Sequence, residues 1–220
     1  MTDFVHGLTR CRFLSLALAV ALMTLAPTAS SVSATAPAAV PAGGTAQLYD
    51  RLFIDMMAPH HEGAVAMARI ALVRARHRQI RTLAQQIITA QENEIATMRN
   101  WRVGWFGSAA TPDMAHMPPL PGLTMQMDMM GGITYLKSET AVPFDKAFIN
   151  AMIPHHQMAI AAAKLELTYG RQPQLQAMAL SIIESQAREI GLMQAYRELW
   201  YGVPAGATHS SAMLLGADHW

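Results

Sequence analysis

Apolar residues recur three and four positions apart over two long stretches of the chain, which is the period of an amphipathic helix. In the first stretch these positions are Phe53, Met57, Ala64, Met67 and Ala71. In the second they are Leu83, Ile87, Met98, Trp101 and Trp105. With a turn near residues 74–78, the pattern predicts a helical hairpin, and no segment shows the sustained period-two alternation of a β-strand.

The hairpin occurs twice in the chain. Residues 49–107 align with 144–202 without a gap, and 23 of the 59 aligned positions are identical. Gly170 and Pro173 mark the second turn, because both residues are typical of helix boundaries. An amphipathic hairpin leaves one apolar face uncovered, so two hairpins predict an all-α fold, a four-helix bundle over residues 47–202 with a linker at 108–143.

The two ends of the chain differ from this repeated region. Arg10 and Arg12 precede an apolar run at 13–25 and small residues at 32–34, as in a secretory signal. The run is shorter than the ~20 residues needed to cross a bilayer, although an uncleaved anchor is the alternative. We expect a signal peptide over 1–34, a flexible leader over 35–46, a flexible tail over 203–220, and a periplasmic or secreted protein without a membrane span after processing.

Composition limits the chemistry that is available. Hydrophobic residues make up 52% of the chain, and 16 basic residues nearly balance 15 acidic ones. This composition excludes extensive disorder and gives no sign of a nucleic-acid partner. The only cysteine, Cys11, lies in the predicted signal, which excludes a disulfide framework and a thiolate zinc site. Methionine and histidine, with 17 and 9 copies, are the remaining soft ligands.

Polar residues occupy positions of the helical pattern that face the core. His60 and its repeat equivalent His155 lie on these seams, and each is followed by a second histidine, His61 or His156. The second helix of each hairpin adds a glutamine and a glutamate: Gln91, Glu94, Gln186 and Glu189. Burying such groups without partners costs about 1–3 kcal/mol each. A hydrogen-bond network of His60, Gln91 and Glu94 or a bound metal ion could satisfy them.

A proline precedes each histidine pair, at Pro59 and Pro154. A proline inside a helix removes one backbone hydrogen bond and bends the axis, whereas a proline at a helix N-terminus is favourable. Under both interpretations, we expect the histidines to follow a break in the backbone. Adjacent side chains on a helix point about 100° apart, so His61 is expected to lean toward a neighbouring helix while His60 faces the seam.

The linker between the repeats is rich in methionine without helical spacing. Its candidate ligands are Met114, His116, Met117, Met125, Met127, Met129 and Met130. Thioether sulfur is a soft ligand that selects Cu(I). The alternative is a hydrophobic lid in which flexible methionines pack across the bundle.

The sequence of residues 53–68, FIDMMAPHHEGAVAMA, its copy at 148–163 and the downstream Gln-x-x-Glu-Ile-x-x-Met blocks resemble the domain of unknown function 305 family. The resemblance covers about residues 47–202 and implies a ferritin-like fold and a periplasmic or secreted location. Some members are linked to copper binding and copper tolerance, and the family has no settled activity. Its histidine and methionine positions fall on His60, His61, Met67, Met98, His155, His156 and Met193. Ala162 stands where the first copy has Met67, so the second copy lacks one sulfur.

These observations lead to a non-enzymatic copper-binding protein as the first hypothesis, with Cu(I) favoured over Cu(II). The expected ligands are His60, His61, Met57, Met67 and Met98 in the first copy and His155, His156, Met152 and Met193 in the second. Met114, His116 and Met117 would capture the metal, and Gln91, Glu94, Gln186 and Glu189 would orient the imidazoles. The alternatives are a ferritin-like di-metal oxidase that uses iron and a purely structural or partner-binding bundle.

Overall fold

The computed structural model describes residues 45–113, 115–116, 118–123 and 129–203, with only the backbone at 45–47, 129 and 130. It contains five helices: α1 (Thr45–Arg74), α2 (Arg78–Phe106), α3 (Met129–Ser138), α4 (Phe144–Tyr169) and α5 (Pro173–Tyr201). No strand occurs among the described residues. The prediction of an all-α bundle is therefore confirmed, while its ferritin-like topology stays a prediction. The predicted signal peptide, the leader up to residue 44 and the tail from residue 204 lie outside the described residues.

The two predicted hairpins are present, and they pack through their first helices. Helix α2 packs on α1, α5 packs on α4, and α1 and α4 lie against each other between them. The turns fall at 75–77 and 170–172, where the sequence places them. Gly107 and Gly202 end α2 and α5 with φ of 72° and 64°, a left-handed conformation that glycine adopts without a steric penalty.

The hydrophobic core consists of two clusters, one toward each end of the bundle. One combines the C-terminal half of α1 with the N-terminal half of α4 and includes Phe148, Met152 and Met193. The other combines the N-terminal half of α1 with the C-terminal half of α4 and includes Phe53 and Met57. The antiparallel crossing of α1 and α4 produces this arrangement. It leaves the two Pro-His-His motifs at the middle of the bundle, between the clusters.

Each hairpin caps the turn of the other. The Asp50 carboxylate at the start of α1 accepts hydrogen bonds from the backbone N–H groups of Arg171 and Gln172 in the α4–α5 turn, at 2.8 and 3.4 Å. Asp145, at the equivalent position of the second repeat, accepts from the N–H groups of Arg76 and His77 in the α1–α2 turn, at 2.9 Å each. Both aspartates are buried, and these bonds give each carboxylate backbone partners in the turn of the opposite hairpin.

The two caps differ in which other side chain interacts with the carboxylate. For Asp145 it is His77, whose Nδ1 lies 2.5 Å from the carboxylate. For Asp50 it is Glu166, a residue without solvent exposure. Burial, followed by the hydrogen bond with Asp50 and the charge of Asp50, raises the pKa of Glu166 from 4.5 to about 9. Glu166 is therefore protonated at neutral pH and donates to Asp50.

Glu166→Gln is expected to remove a pH dependence of stability. The folded state holds the Glu166 proton between pH 4.5 and about 9, whereas the unfolded state has lost it, so the wild type loses stability as pH rises through this window. Glutamine donates to Asp50 at every pH. Urea denaturation should show the variant more stable at pH 8.5, by up to about 5 kcal/mol, and little changed near pH 4.5. Parallel stability profiles for the two proteins would contradict the shared proton.

A fifth helix, α3, lies within the linker and was not predicted. It packs against both α1 and α4, with Ile133 and Leu136 buried in a hydrophobic cluster. The sequence analysis found no helical spacing among the linker methionines and did not identify this helix over Met129–Ser138. Its two glycines made the segment look like a loop, because glycine is a poor helix former. Gly132 faces Met67: a Cβ added there would lie 3.0 Å from the Met67 sulfur, so the missing side chain permits close packing.

Both prolines lie inside uninterrupted helices. Pro59 lies in the middle of α1 and Pro154 in the middle of α4. The interpretation as a helix N-terminus is therefore wrong, and the interpretation as a proline inside a helix is confirmed. Proline leaves one carbonyl of the preceding turn without its usual intrahelical partner, but extensive packing on both sides keeps each helix continuous.

Candidate metal centre

Two histidines from different repeats meet at the centre of the bundle. His60 of α1 and His155 of α4 have ring centroids 3.8 Å apart, with the planes inclined by 43°. His60 has no exposed surface, and His155 is 6% exposed. The antiparallel packing of α1 and α4 brings these equivalent positions together, so the contact lies on the approximate two-fold relation between the repeats.

Neither ring has a satisfied nitrogen. Within the part of the chain that the structure describes, both nitrogens of His60 and both nitrogens of His155 are buried without a well-formed hydrogen bond. Burial lowers the pKa of each histidine well below 6.5, and the neighbouring histidines lower it further, against a small opposing effect from the facing backbone. The two imidazoles are therefore neutral at pH 7, which is the form that binds metal ions. Their unsatisfied nitrogens carry a desolvation penalty of about 1–3 kcal/mol each.

The second histidine of each motif pairs with a glutamate of its own hairpin. Nε2 of His61 lies 2.8 Å from the Glu94 carboxylate, and Nε2 of His156 lies 2.6 Å from that of Glu189. The expectation that His61 leans toward a neighbouring helix is met. Both imidazoles are fully buried, whereas the glutamate side chains are 17% and 15% exposed. Each carboxylate thus fixes a buried ring from the edge of the bundle, and Nδ1 of each ring has no partner.

The hydrogen-bond network considered for His60, Gln91 and Glu94 is not formed. Glu94 contacts His61 instead, and no described side chain forms a hydrogen bond with the His60 ring. Gln91 is 3% exposed, its equivalent Gln186 is 2% exposed, and the side-chain oxygen of each lacks a hydrogen-bond partner. The central layer, which we define as the four motif histidines with Gln91 and Gln186, is therefore polar, buried and under-satisfied.

The candidate methionines of the helices are all buried. Met57 and Met98 belong to one hydrophobic cluster, and their equivalents Met152 and Met193 belong to the other. Sulfur atoms are thus available in both clusters that adjoin the central layer. Met67 is also buried, but its sulfur lies against Gly132 of α3.

The linker candidates are separate from this layer. His116 is exposed, and its Nδ1 lies 2.8 Å from Asp113, also exposed. The hydrogen bond with His116 lowers the pKa of Asp113. Met114, Met117, Met125 and Met127 lie outside the described residues, as do the side chains of Met129 and Met130. The metal-capturing role of Met114, His116 and Met117 stays a prediction.

The layer does not form a ready-made site of charged or imidazole ligands. Among the residues that the structure describes, no three His, Cys, Asp or Glu side chains converge in a way that could hold a metal ion. The arrangement is one close pair of neutral imidazoles flanked by two histidine–glutamate pairs. A metal ion here would therefore need thioether ligands, a low coordination number, or side-chain rotation. A di-metal site would use the carboxylates of Glu94 and Glu189 as ligands. In this structure each of these carboxylates instead contacts the histidine of its own hairpin.

Two sets of structural residues were not recognised from the sequence. One is the pair of capping aspartates, Asp50 and Asp145. The other is a buried ion pair in which Arg102 contacts Asp55 at 2.6 Å. Identity between the repeats carried the signal: Asp50 matches Asp145, and Arg102 matches Arg197. A charged residue retained in both copies of a duplicated hairpin is a candidate for a buried contact.

Solved structures resemble this chain over most of its length. CopM in its Cu(II)-bound form is 37% identical, with a TM-score of 0.59, covering 69% of this chain and 97% of CopM. Its Cu(I)-bound form is 38% identical, with a TM-score of 0.55, covering 70% and 98%. A DUF305 protein from Streptomyces coelicolor, classed as a candidate secreted protein, is 25% identical with a TM-score of 0.61, covering 74% of this chain and 98% of its own.

A curated relative matches a shorter stretch. The uncharacterised protein L153 of Acanthamoeba polyphaga mimivirus is 38% identical over 63 residues, which are 29% of this chain and 41% of that protein. The match therefore spans less than half of the relative's length.

Within the described part of the chain, no helix is both long and apolar enough to cross a membrane.

The family follows from the extent of the sequence match. Residues 50–197 match the family model described as "Domain of unknown function (DUF305)". This range covers both Pro-His-His motifs, both hairpins and the linker between them, and the chain therefore belongs to the DUF305 family.

Proposed function

We propose that this protein binds copper outside the cytoplasm and sequesters it or passes it on, without catalysing a reaction. The observation that carries the proposal is the pair His60 and His155, two neutral imidazoles buried in contact with no hydrogen-bond partner at any nitrogen. A purely structural role gives no reason to retain two unsatisfied rings at this depth. A metal ion that uses one nitrogen of each ring would supply the missing interaction.

The donor set supports a soft metal ion. Neutral imidazole and thioether groups suit Cu(I), because they stabilise a soft monovalent ion without bringing buried charge. The proposed ligands are His60 and His155, completed by the methionines of the adjoining clusters: Met57, Met98, Met152 and Met193. CopM, the similar protein described above, has been solved with Cu(I), with Cu(II) and with silver, which is also a soft ion.

The facing arrangement favours one shared site over two separate ones. His60 lies closer to His155 of the other repeat than to His61 beside it: the ring centroids are 3.8 and 6.2 Å apart. His61 and His156 are proposed to adjust the central rings or to accept the metal during transfer, with Glu94 and Glu189 orienting them. Gln91 and Gln186 would hydrogen-bond to the imidazoles once the metal has fixed their orientation.

The proposed location rests on the N-terminal sequence and on a relative. Residues 1–34 have the features of a secretory signal, and the Streptomyces coelicolor protein is classed as a candidate secreted protein. A periplasmic or secreted protein meets copper in an environment where thiols are readily oxidised. Ligands without sulfhydryl groups are suited to that environment.

Native mass spectrometry tests the metal directly. The purified protein is exposed to equal amounts of Cu(I), Zn(II) and Fe(II) under anaerobic conditions, desalted and weighed. We expect copper to be retained at a fixed stoichiometry, one ion per chain for the central layer. Retention of iron in place of copper would favour the di-metal oxidase. Retention of no metal would contradict the proposal and leave the central layer structural.

A further inference from the structure

The outer face of α5 is unusually apolar for a helix that faces solvent. Leu180, Leu192 and Leu199 are 52%, 44% and 76% exposed. On the same face, exposed positions recur at alternating spacings of four and three: Ala177, Ser181, Glu184, Arg188, Gly191 and Ala195. This is the heptad spacing of a helix that packs along a second helix, here with mostly small side chains on the seam. Small seam residues allow two helix backbones to approach closely.

The equivalent helix of the first repeat provides an internal comparison. On α2, the positions that match the three exposed leucines are Gln85, Thr97 and Gly104, and those that match Glu184 and Arg188 are Thr89 and Asn93. The outer face of α2 is therefore polar and uncharged at these positions. Since both helices occupy equivalent places in one duplicated fold, the apolar face of α5 is not a requirement of the bundle.

The α5 face is complementary to itself in the antiparallel direction. When two copies of α5 are paired about residue 186, Ala177 faces Ala195, Ser181 faces Gly191 and Leu180 faces Leu192. In the same register, Glu184 faces Arg188 of the second copy. A two-fold axis repeats each contact, so the pairing contains two Glu–Arg contacts of opposite charge.

The two charged residues at the centre of this face are available for such contacts. Glu184 and Arg188 are both exposed, and within the described part of the chain neither forms an ion pair or side-chain hydrogen bond. Paired against an identical face, they would lie between the leucines at the centre of the contact. Opposite charges in this position favour one register and one direction over the alternatives.

We propose that a second copy of this chain docks on the α5 face, which forms an antiparallel α5–α5 dimer. Two helices bury an area at the low end of specific interfaces, so the dimer is expected to be reversible, with a dissociation constant on the order of 10 µM. The interface belongs to α5 alone, and it does not depend on the copper proposal. The axis passes near Gln186, so the central layers of the two copies would lie side by side at the same level.

The dimer can be tested by sedimentation equilibrium. The protein is purified from cells that express the full-length gene. Measurements from about 1 to about 300 µM bracket the expected constant, and a copper chelator excludes association through metal. The wild type should show a monomer–dimer equilibrium. Glu184→Arg and Arg188→Glu should each weaken self-association by roughly tenfold or more, because each places like charges opposite each other at two contacts.

Mixing the two variants distinguishes this interface from an effect within one chain. In the mixture, the introduced arginine of one variant would face the introduced glutamate of the other, and the unchanged Arg188 of the first would face the unchanged Glu184 of the second. A heterodimer should therefore form at concentrations where each variant alone is monomeric. Thr89→Arg and Asn93→Glu, at the matching positions of α2, are controls that should leave association unchanged. A monomeric wild type, or charge variants that dimerise as the wild type does, would overturn the proposal.

Discussion

Replacing His60 and His155 together with leucine is expected to abolish most copper binding and to make the metal-free protein more stable. Leucine has a similar volume but no polar atom, so the substitution removes four buried nitrogens that lack partners. Stability should rise by at least about 1–3 kcal/mol in urea denaturation, since the desolvation penalty of these nitrogens disappears. Copper affinity, measured by competition with a chromogenic Cu(I) chelator, should fall by at least about 100-fold.

The opposite signs of these two effects make the experiment decisive. If the histidines served only the fold, their removal would lower stability and leave any copper binding intact. His77→Ala is the matched control, because His77 is a histidine outside the central layer that contacts Asp145 at the end of the bundle. It should reduce stability without a comparable loss of copper affinity. Copper should also raise the melting temperature of the wild type and of His77→Ala, but not that of the double leucine variant.

Asp55→Ala is expected to produce the largest loss of stability, about 3–5 kcal/mol. Asp55 is the ion-pair partner of Arg102, and both side chains are buried, at 7% and 4% exposure. Removing the carboxylate leaves a guanidinium in the core without its counter-charge, which is far more costly than the loss of a surface ion pair. Chemical denaturation gives the free energy, and circular dichroism checks that the helices remain at low denaturant.

The second repeat suggests the graded control for this substitution. It has Asn150 where the first repeat has Asp55, while Arg197 matches Arg102. Asp55→Asn therefore gives the first hairpin the residue that the second one already has at this position, together with a buried arginine. The loss should be clearly smaller than that of Asp55→Ala, because an amide oxygen can still accept a hydrogen bond. Equal losses for the two variants would show that the negative charge of Asp55 carries the effect, and that the hydrogen bonding and packing kept by the near-isosteric amide add little.

The hairpins could be predicted because their information is local. The three-and-four spacing places Phe53 and Met57 on one face, and the repeat locates the second copy. Helix α3 could not be predicted in the same way. Glycine weakens its intrinsic helix propensity, and the segment is helical where Ile133 and Leu136 pack into the core and Gly132 lets the Met67 sulfur of α1 approach closely. That contact joins residues far apart in the sequence, and tertiary packing overrides propensity there.

The candidate site shows the same division between local and distant information. Helical periodicity placed His60 on the seam and His61 toward a neighbouring helix, and the structure agrees. The contact between His60 and His155 depends instead on the level at which α1 crosses α4. A periodic pattern describes which face a residue occupies, but not how far one hairpin slides along another. The same limit hid the contacts of Asp50 and Asp145 with the opposite turns.

The exchange of capping aspartates also bears on the ancestry of the fold. A chain with a single hairpin would leave its own turn amides unsatisfied, because the carboxylate that reaches them comes from the start of the other hairpin. Such a chain would recover both caps, and the pair of facing histidines, only by associating with a second identical chain. The exchanged caps are therefore the arrangement that fusion of a symmetric homodimer would produce. In such a homodimer, the central histidines would meet across a true two-fold axis, and fusion would allow the two halves to diverge, as Glu166 and His77 have done.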